Sequence, residues 1–579
     1  MKPASTTLAL LVLLTLAALG LRLHGLGAGL PMEVEPDCKI PYQVEVLRSG
    51  DEAARAEPDF LWYPLLIARI TALLPAGEHA SPGAPLAEHL AAAAPDNRST
   101  RLVVALLAVL VVPATFMLAR LFFSGGWSLF AAALSATSLL GLSFSQQSRP
   151  HAPSAALFLF AVLAAVRVRR RGDLGDHVLL GLAGFCALGC LQSGLAVLPA
   201  FLAAYLLRGP RGRGGPRWFD PRALVSLGLA LAALPLLLPS NPVAGGGGLP
   251  HISAGVLHVS GHQVFLSQFN GQGFAILLEA LASFEPLLLA LAVLGCLVAP
   301  LLRLRDQRLG EDGTGSVRDT LVVLSFALPY LLVTGLYERN YERFVLPLLP
   351  YLACVATLGL LGALRLVAPT RGATASVVVA LLVLALPTYG AARLSAVRAA
   401  PTTIDRAAAW VRANVSPETR VLLFPEIDLP LLRRDEGLVF WGARTQGRRF
   451  AFLPWARYQA EARPRPPGEP VFDLVWSDLG RFLGAPREYL EVEGCDLVVL
   501  EVFAENRTSR AATAAREQLQ ATCELLVRIS PDGHPDRSDH PLGFQNETSV
   551  PNPNFTARVL QAEGTGPVIE IYRPLAQER

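Results

Sequence analysis

Apolar runs, each near the roughly 20 residues that a bilayer-spanning helix needs, recur along the chain as far as residue 391 and then stop. They predict membrane helices near 6–28, 101–122, 127–145, 154–168, 177–191, 193–208, 222–238, 280–302, 319–337, 344–366 and 373–391, about eleven in all. The pair 177–191 and 193–208 is the weakest of these assignments. A further apolar stretch, FLWYPLLIARITALLP at 60–75, is interrupted by Pro64 and Arg69. It fits an interfacial helix, or the lower end of a spanning one, better than a full span. The 6–28 run is long and has no clean small-residue cleavage site after it, so it reads as a retained first helix rather than a signal peptide.

After residue 391 the pattern changes. TTIDRAAAWVRANV (402–415) has a Thr cap, an early Asp and apolar positions at helical spacing. RVLLF (420–424), CDLVVLEVF (495–503), ELLVRI (524–529) and PVIEIYR (567–573) read as strands, and SRAATAAREQLQATC (509–523) reads as a helix. Strands alternating with helices predict a small α/β domain. The expected architecture is a polytopic α-helical membrane domain over 1–391, followed by an extracytoplasmic α/β domain over 392–579. Residues 530–563, rich in Pro, Asn, Asp and Ser, read as a long surface loop. No nucleotide-binding glycine fingerprint occurs.

Composition sharpens the class. The chain has 579 residues, 52% hydrophobic and 17% charged, with a mean hydropathy of +0.41. Soluble domains carry roughly 25% charged residues. A net charge of +3 is too small to argue for nucleic acid. The short basic loops RVRRRGD (167–173), RGPRGRGGPR (208–217), RLRDQRLGEDGTGSVR (303–318) and RLVAPTRG (365–372) fall on one side if eleven helices are counted. The positive-inside rule makes that side cytoplasmic. The N-terminus is then inside, and the C-terminal domain lies outside the cell (inner) membrane. The outer face also receives the 32–43 segment and the 146–153, 239–275 and 338–343 loops. Five N-x-S/T sequons, at Asn97, Asn414, Asn506, Asn546 and Asn554, fall on the same face. Of the seven cysteines, only Cys495 and Cys523 share the outer domain, where they form either a disulfide or two free thiols.

The candidate chemistry begins at MEVEPDCKIPYQ (32–43), which places Glu33, Glu35, Asp37 and Lys39 at the outer end of the first helix. Lys39 and Lys2 are the only lysines in the chain. The cluster is either a solvated loop or the seat of a general base at the water–membrane boundary, where a carboxylate can take a proton from an attacking hydroxyl. His258 and His262 are four residues apart, with His251 nearby. On a helix they could pair on a divalent metal, but the surrounding glycines favour a loop.

The order of these motifs resembles the GT-C class of membrane glycosyltransferases, and within it the bacterial relatives of protein O-mannosyltransferases and aminoarabinose transferases. The first outer loop of that family often reads His-Pro-Asp-Glu, followed by a Gly-Asp step and a Phe/Tyr-Pro element. Here EPDC (35–38), SGD (49–51) and FLWYPLL (60–66, with Tyr63) take those places. The resemblance puts Asp37 on the family's catalytic aspartate, with Glu35 in place of the His and Cys38 in place of the second acid. RLVVALLAVLVVPATFMLARLFF (101–123), SFSQQSRPHAPSAALFLF (143–160), VSGHQVFLSQF (259–269), YERNYERFVLPLLPYLA (337–353) and IDRAAAWVRANVSPETRVL (404–422) resemble further family segments. In the second of these, Ser154 stands near the usual Asp, leaving Arg149 and His151 as polar contacts.

The resemblance implies a sugar donor on a polyprenyl phosphate, a lipid, glycan or protein acceptor, and no nucleotide cofactor. Arg339 and Arg343 would hold the leaving phosphate, to which a guanidinium offers a planar fork; alternatively they anchor the chain among headgroups. Lys39 would contact the same phosphate or pair with Asp37 or Glu35. His262 would contact donor or acceptor, or be structural. The expectation is an inverting transferase with Asp37 as base. The competing classes are a transporter or flippase, which would place ionisable groups inside helices, with Glu285 the main candidate, and a non-catalytic family member.

Overall fold

The computed structural model describes residues 5–32, 39–55, 57, 60, 62–208, 220–237, 251–253, 256–259, 262–309, 317–367, 373–424, 427–438, 453–476, 479–502, 510–532, 542 and 554–575. Among these, six helical stretches are long and apolar enough to cross a bilayer: Ser5–Leu23, Pro95–Ala119, His151–Arg170, Val317–Leu336, Glu342–Val367 and Thr374–Asn414. Two bent pairs bring the number to eight if each pair is one span. Three shorter apolar helices, Leu174–Cys190, Gln192–Leu206 and Ala223–Leu237, occupy three of the expected spans but are shorter than a straight bilayer crossing. Length and composition thus support six to eight of the eleven expected spans.

Two spans expected to be continuous are broken. The 127–145 run is two helices, Gly125–Ala136 and Leu139–Ser145, bent by 54°. The 280–302 run begins only at Pro286, and the preceding helix Gln272–Phe284 meets it at 118°. Glu285 sits buried at that second break. Its Oε1 accepts from the Ser138 hydroxyl at 2.6 Å and from the Leu140 N–H at 2.9 Å. One carboxylate therefore satisfies donors that the start of the Leu139–Ser145 helix cannot satisfy internally.

The bundle is close-packed where small residues allow it. A Cβ on Gly359 would stand 2.2 Å from the Leu291 carbonyl, and one on Gly295 would stand 2.1 Å from that of Val355. Helices Pro286–Leu309 and Leu349–Val367 touch backbone to backbone there, as small residues permit between membrane helices. The first helix lies at the periphery, with Leu13 and Leu16 exposed. Its C-terminal end is held by Arg101, which donates to the Leu26 and Ala28 carbonyls, and by Gln146, whose Nε2 reaches the carbonyls of Leu21, Arg22 and His24. At the end carrying the basic loops, Asp319 is buried between Arg169 and Arg170.

Strands β1 (His251–Ser253), β2 (Val256–Val259) and β3 (His262–Phe265) form a small antiparallel sheet. His258 pairs with Gln263 and Val259 with His262. The two histidines thus lie on adjacent strands, not at helical spacing. Among the described residues of the stretch 60–75, the α-helix is the short Leu66–Ala72.

Beyond the long helix Ala373–Ala399, which runs unbroken through residue 391, Thr402 and Asp405 form a reciprocal capping box for helix Thr403–Asn414. Strands β4 (Arg420–Phe424), β5 (Leu432–Arg433), β6 (Val471–Trp476), β7 (Leu497–Val502), β8 (Cys523–Ile529) and β9 (Val568–Pro574) make one sheet in the order β5-β6-β4-β7-β9-β8. The first four are parallel, and β9 runs antiparallel to both β7 and β8. Every residue of β7 is buried, as expected of a central parallel strand covered on both faces. Strand β6 and helix Pro454–Ala462 were not anticipated from the sequence. Cys495 and Cys523 are buried free thiols, so the disulfide alternative is not realised. Within the stretch expected to be loop, helix Phe555–Gln561 docks on the membrane domain. Its Phe555 ring stacks on Phe284 at 4.1 Å between centroids, and the Phe555 N–H donates to the Ser283 hydroxyl at 2.8 Å.

Candidate functional site

The element that follows the EPDC motif is helix Lys39–Ser49. Ile40 and Val44 bury into the core of the membrane domain. Gln43 is fully buried and its Nε2 donates to the carbonyls of Phe60 and Tyr63, at 2.6 and 2.7 Å. Gln192 fixes the same strip from the other side by donating to the Trp62 carbonyl at 2.7 Å. These bonds satisfy backbone acceptors in a segment with no regular partner strand or helix. They hold Trp62 and Tyr63 in fixed places.

From there a train of rings and cations crosses the site. The Lys39 ammonium lies 5.3 Å from the Trp62 ring. Tyr63 meets His151 edge-on, with centroids 5.9 Å apart. His151 meets Phe344 edge-on on its other side, at 5.8 Å. The Arg343 guanidinium lies 4.0 Å from the Tyr341 ring and 5.7 Å from Phe344. Arg149 is 1% exposed, and it and Arg343 are the cations that act on the His151 imidazole. His151 is itself buried, and its Nδ1 has no hydrogen-bond partner among the described residues.

His151 opens the 20-residue helix His151–Arg170. Its Ser154 hydroxyl turns back to the His151 carbonyl at 2.7 Å, so Ser154 is occupied locally. The positive end of the helix therefore lies beside Arg149 and Arg343. A helix N-terminus flanked by guanidiniums attracts an anion such as a phosphate. Such fixed donors stabilise charge that builds up on a departing oxygen.

Tyr63, Arg149 and Arg343, expected from scattered motifs, thus meet around His151, while Lys39 lies against the Trp62 ring. Arg339 does not join them: it is exposed on the turn beside Tyr337. His262 is the first residue of β3, and its side chain lies outside the described residues. Just beyond β3, Phe269 packs on Tyr337 at 5.3 Å, and the Glu338 N–H donates to the Gln268 carbonyl at 2.8 Å. The hairpin is thereby tied to the turn that leads to Arg343. Glu35 and Asp37 lie outside the described residues. The flanking residues are placed: Met32 is buried in the core of the C-terminal sheet domain, and Lys39 begins its helix. Gln43, Gln192, Tyr341 and Phe344 were not singled out in the sequence. A buried amide on an otherwise amphipathic helix is the one local signal that Gln43 offered.

Residues 90–240 match the family model described as dolichyl-phosphate-mannose-protein mannosyltransferase. The match includes Arg149 and His151 but not Asp37, Tyr63 or Arg343. No curated protein matches the sequence. Among solved structures, the chain aligns with the Archaeoglobus fulgidus oligosaccharyltransferase in the apo form at 14% identity and a TM-score of 0.45, covering 94% of this chain and 75% of that one. It aligns with ArnT from Cupriavidus metallidurans bound to undecaprenyl phosphate at 14% identity and a TM-score of 0.41, covering 91% and 97%. The arabinofuranosyltransferase AftD from Mycobacteria aligns at 14% identity and a TM-score of 0.41, covering 100% and 40%. Over residues 90–240 the chain is similar to the dolichyl-phosphate-mannose-protein mannosyltransferase family.

Proposed function

We propose that the protein is an integral-membrane glycosyltransferase that moves a sugar from a polyprenyl-phosphate-type lipid to an acceptor hydroxyl on the outer face of the cell membrane, with inversion. The observation that carries this is the meeting of Arg149, Arg343 and Tyr63 around His151 at the N-terminal end of helix His151–Arg170.

In this scheme the acceptor oxygen attacks the anomeric carbon while the Asp37 carboxylate takes its proton, assisted by Glu35. The bond from carbon to phosphate oxygen breaks, and the polyprenyl phosphate departs with the electron pair. Arg343 and Arg149, with Lys39, neutralise the developing phosphate charge. Tyr63 walls the donor side, and Arg339 and His262 make outer contacts with donor or acceptor. The donor carries its own activation, so the reaction as written uses no nucleotide cofactor. The N-terminus is cytoplasmic and the sheet domain extracytoplasmic.

The test is transfer by the purified protein from a panel of polyprenyl-phosphate sugars. Asp37→Asn abolishes transfer, Arg343→Ala lowers it at least a hundredfold, and Glu35→Gln lowers it less than Asp37→Asn does. Wild-type rates in Asp37→Asn would overturn the assignment of the base.

A further inference from the structure

Arg22 lies in the last turn of the first helix, Ser5–Leu23, and is 1% exposed. A charge taken out of water without an opposite charge beside it is among the costliest arrangements in a folded chain. The hydrogen bonds of Arg22 among the described residues leave from Nη1, to the Ala18 carbonyl at 2.9 Å and the Ala136 carbonyl at 3.5 Å. Both acceptors are neutral. The first already takes a backbone N–H within its own helix, and the second stands at the limit of hydrogen-bond range. Among the described residues no carboxylate acts on Arg22. Glu285, which caps the neighbouring helix, faces Ser138 and Leu140 instead.

The guanidinium borders a cavity of about 20 Å3. Ser135, Gly141, Ala152, Ala155 and Leu346 line it together with Arg22, and no carboxylate does. Nη2 is the nitrogen on this side, since a Cβ placed on Gly141 would stand 4.0 Å from it. The helices in the wall present two C-terminal ends, near Arg22 and Ser135, and two N-terminal ends, near Gly141 and Ala152. Their partial charges, about half a unit each, largely offset one another. The full charge of Arg22 is what remains.

A space of this size admits one water molecule or one monatomic ion, and it excludes a tetrahedral oxyanion. A water would give Nη2 an acceptor but leave the charge unmatched. We infer that this cavity is a binding site for a single monatomic anion, chloride, held by the Arg22 guanidinium. The bound ion joins the end of the first helix to the break at Thr137–Ser138 and to the helix that opens with His151. The inference is independent of the transferase function proposed above.

The experiment uses the full chain in detergent, exchanged into sodium gluconate and titrated with sodium chloride at constant ionic strength. The thermal unfolding midpoint rises by about 3 °C or more and saturates, as binding to the native state requires. Bromide replaces chloride, and sulfate does not. Arg22→Gln abolishes the response, and Arg22→Lys keeps part of it. A second reading needs no variant: crystals of the wild-type protein grown in bromide show an anomalous peak in the cavity, in contact with Arg22 Nη2. A midpoint that follows ionic strength whatever the anion, a chloride response unchanged in Arg22→Gln, or a cavity holding only water in the bromide crystals would overturn the inference. Sugar transfer enters none of these readings, so their failure leaves the transferase function standing, and the reverse holds too.

Discussion

Glu285 separates a transport protein from an enzyme. A carboxylate between two halves of a broken membrane helix is where a transporter would keep a coupling group. Here its Oε1 instead receives the Ser138 hydroxyl and the Leu140 N–H. The helix it caps, Leu139–Ser145, leads directly into Gln146 and then Arg149. Hydrogen bonds to a charged group contribute about 1.5–3 kcal/mol each, so Glu285→Ala should cost about 3–6 kcal/mol through two bonds lost. Glu285→Gln keeps a carbonyl oxygen in place and forfeits only the charge assistance, about half of that sum. The assay is thermal unfolding in detergent followed by tryptophan fluorescence, paired with sugar transfer. The Ala variant loses several degrees in midpoint and most activity with it. The Gln variant loses at most half as many degrees and keeps at least half of the transfer rate. If Gln proves as damaging as Ala, or is stable but inactive, the charge itself is functional and Glu285 is not a capping group.

Other outcomes follow from the same geometry. Arg457 and Glu45 are both partly exposed, so breaking their pair should cost no more than about 1 kcal/mol. Arg457→Leu should lower the thermal unfolding midpoint by no more than about 4 °C. Phe555→Ala removes a 2%-exposed ring stacked on Phe284. It should cost about 3–5 kcal/mol and appear as faster proteolytic release of the C-terminal segment. Burial pushes the Cys495 thiol up to about 12 and raises that of Cys523. The thiolate fraction of Cys495 at pH 8 is then on the order of 10⁻⁴. Neither thiol should react with a maleimide until the protein is unfolded, when both should; a disulfide seen in the native protein would contradict this.

The spans with long unbroken apolar runs were legible because lipid leaves only one way to satisfy the backbone. Helix His151–Arg170 and helix Val317–Leu336 fall within a few residues of their expected positions. The breaks at Thr137–Ser138 and at Glu285 were not legible, because hydropathy averages over a bend. Pro286 after an acid was the only local sign. Strands β4, β7, β8 and β9 showed as apolar runs, whereas β6, reading VFDLVW, carries Asp473, which blurred its pattern. Motif order brought Tyr63, Arg149 and Arg343 to notice. Their meeting through His151 and Phe344 depends on contacts between distant segments that no local pattern encodes. The same holds for Arg457 and Glu45, which are 412 residues apart.

Helix Lys39–Ser49 carries Lys39 against the Trp62 ring at one end and lines a cavity at the sheet domain with Tyr42 and Glu45. A stiff rod shared by the donor side and the sheet domain makes the two thermodynamically interdependent. Whatever factor docking of the sheet domain applies to the affinity for the donor lipid, the donor must apply to the docking. Measuring donor affinity with the Glu45–Arg457 pair intact and broken should yield that factor. The reach of the sheet domain into the membrane domain would then be a property of this one eleven-residue helix.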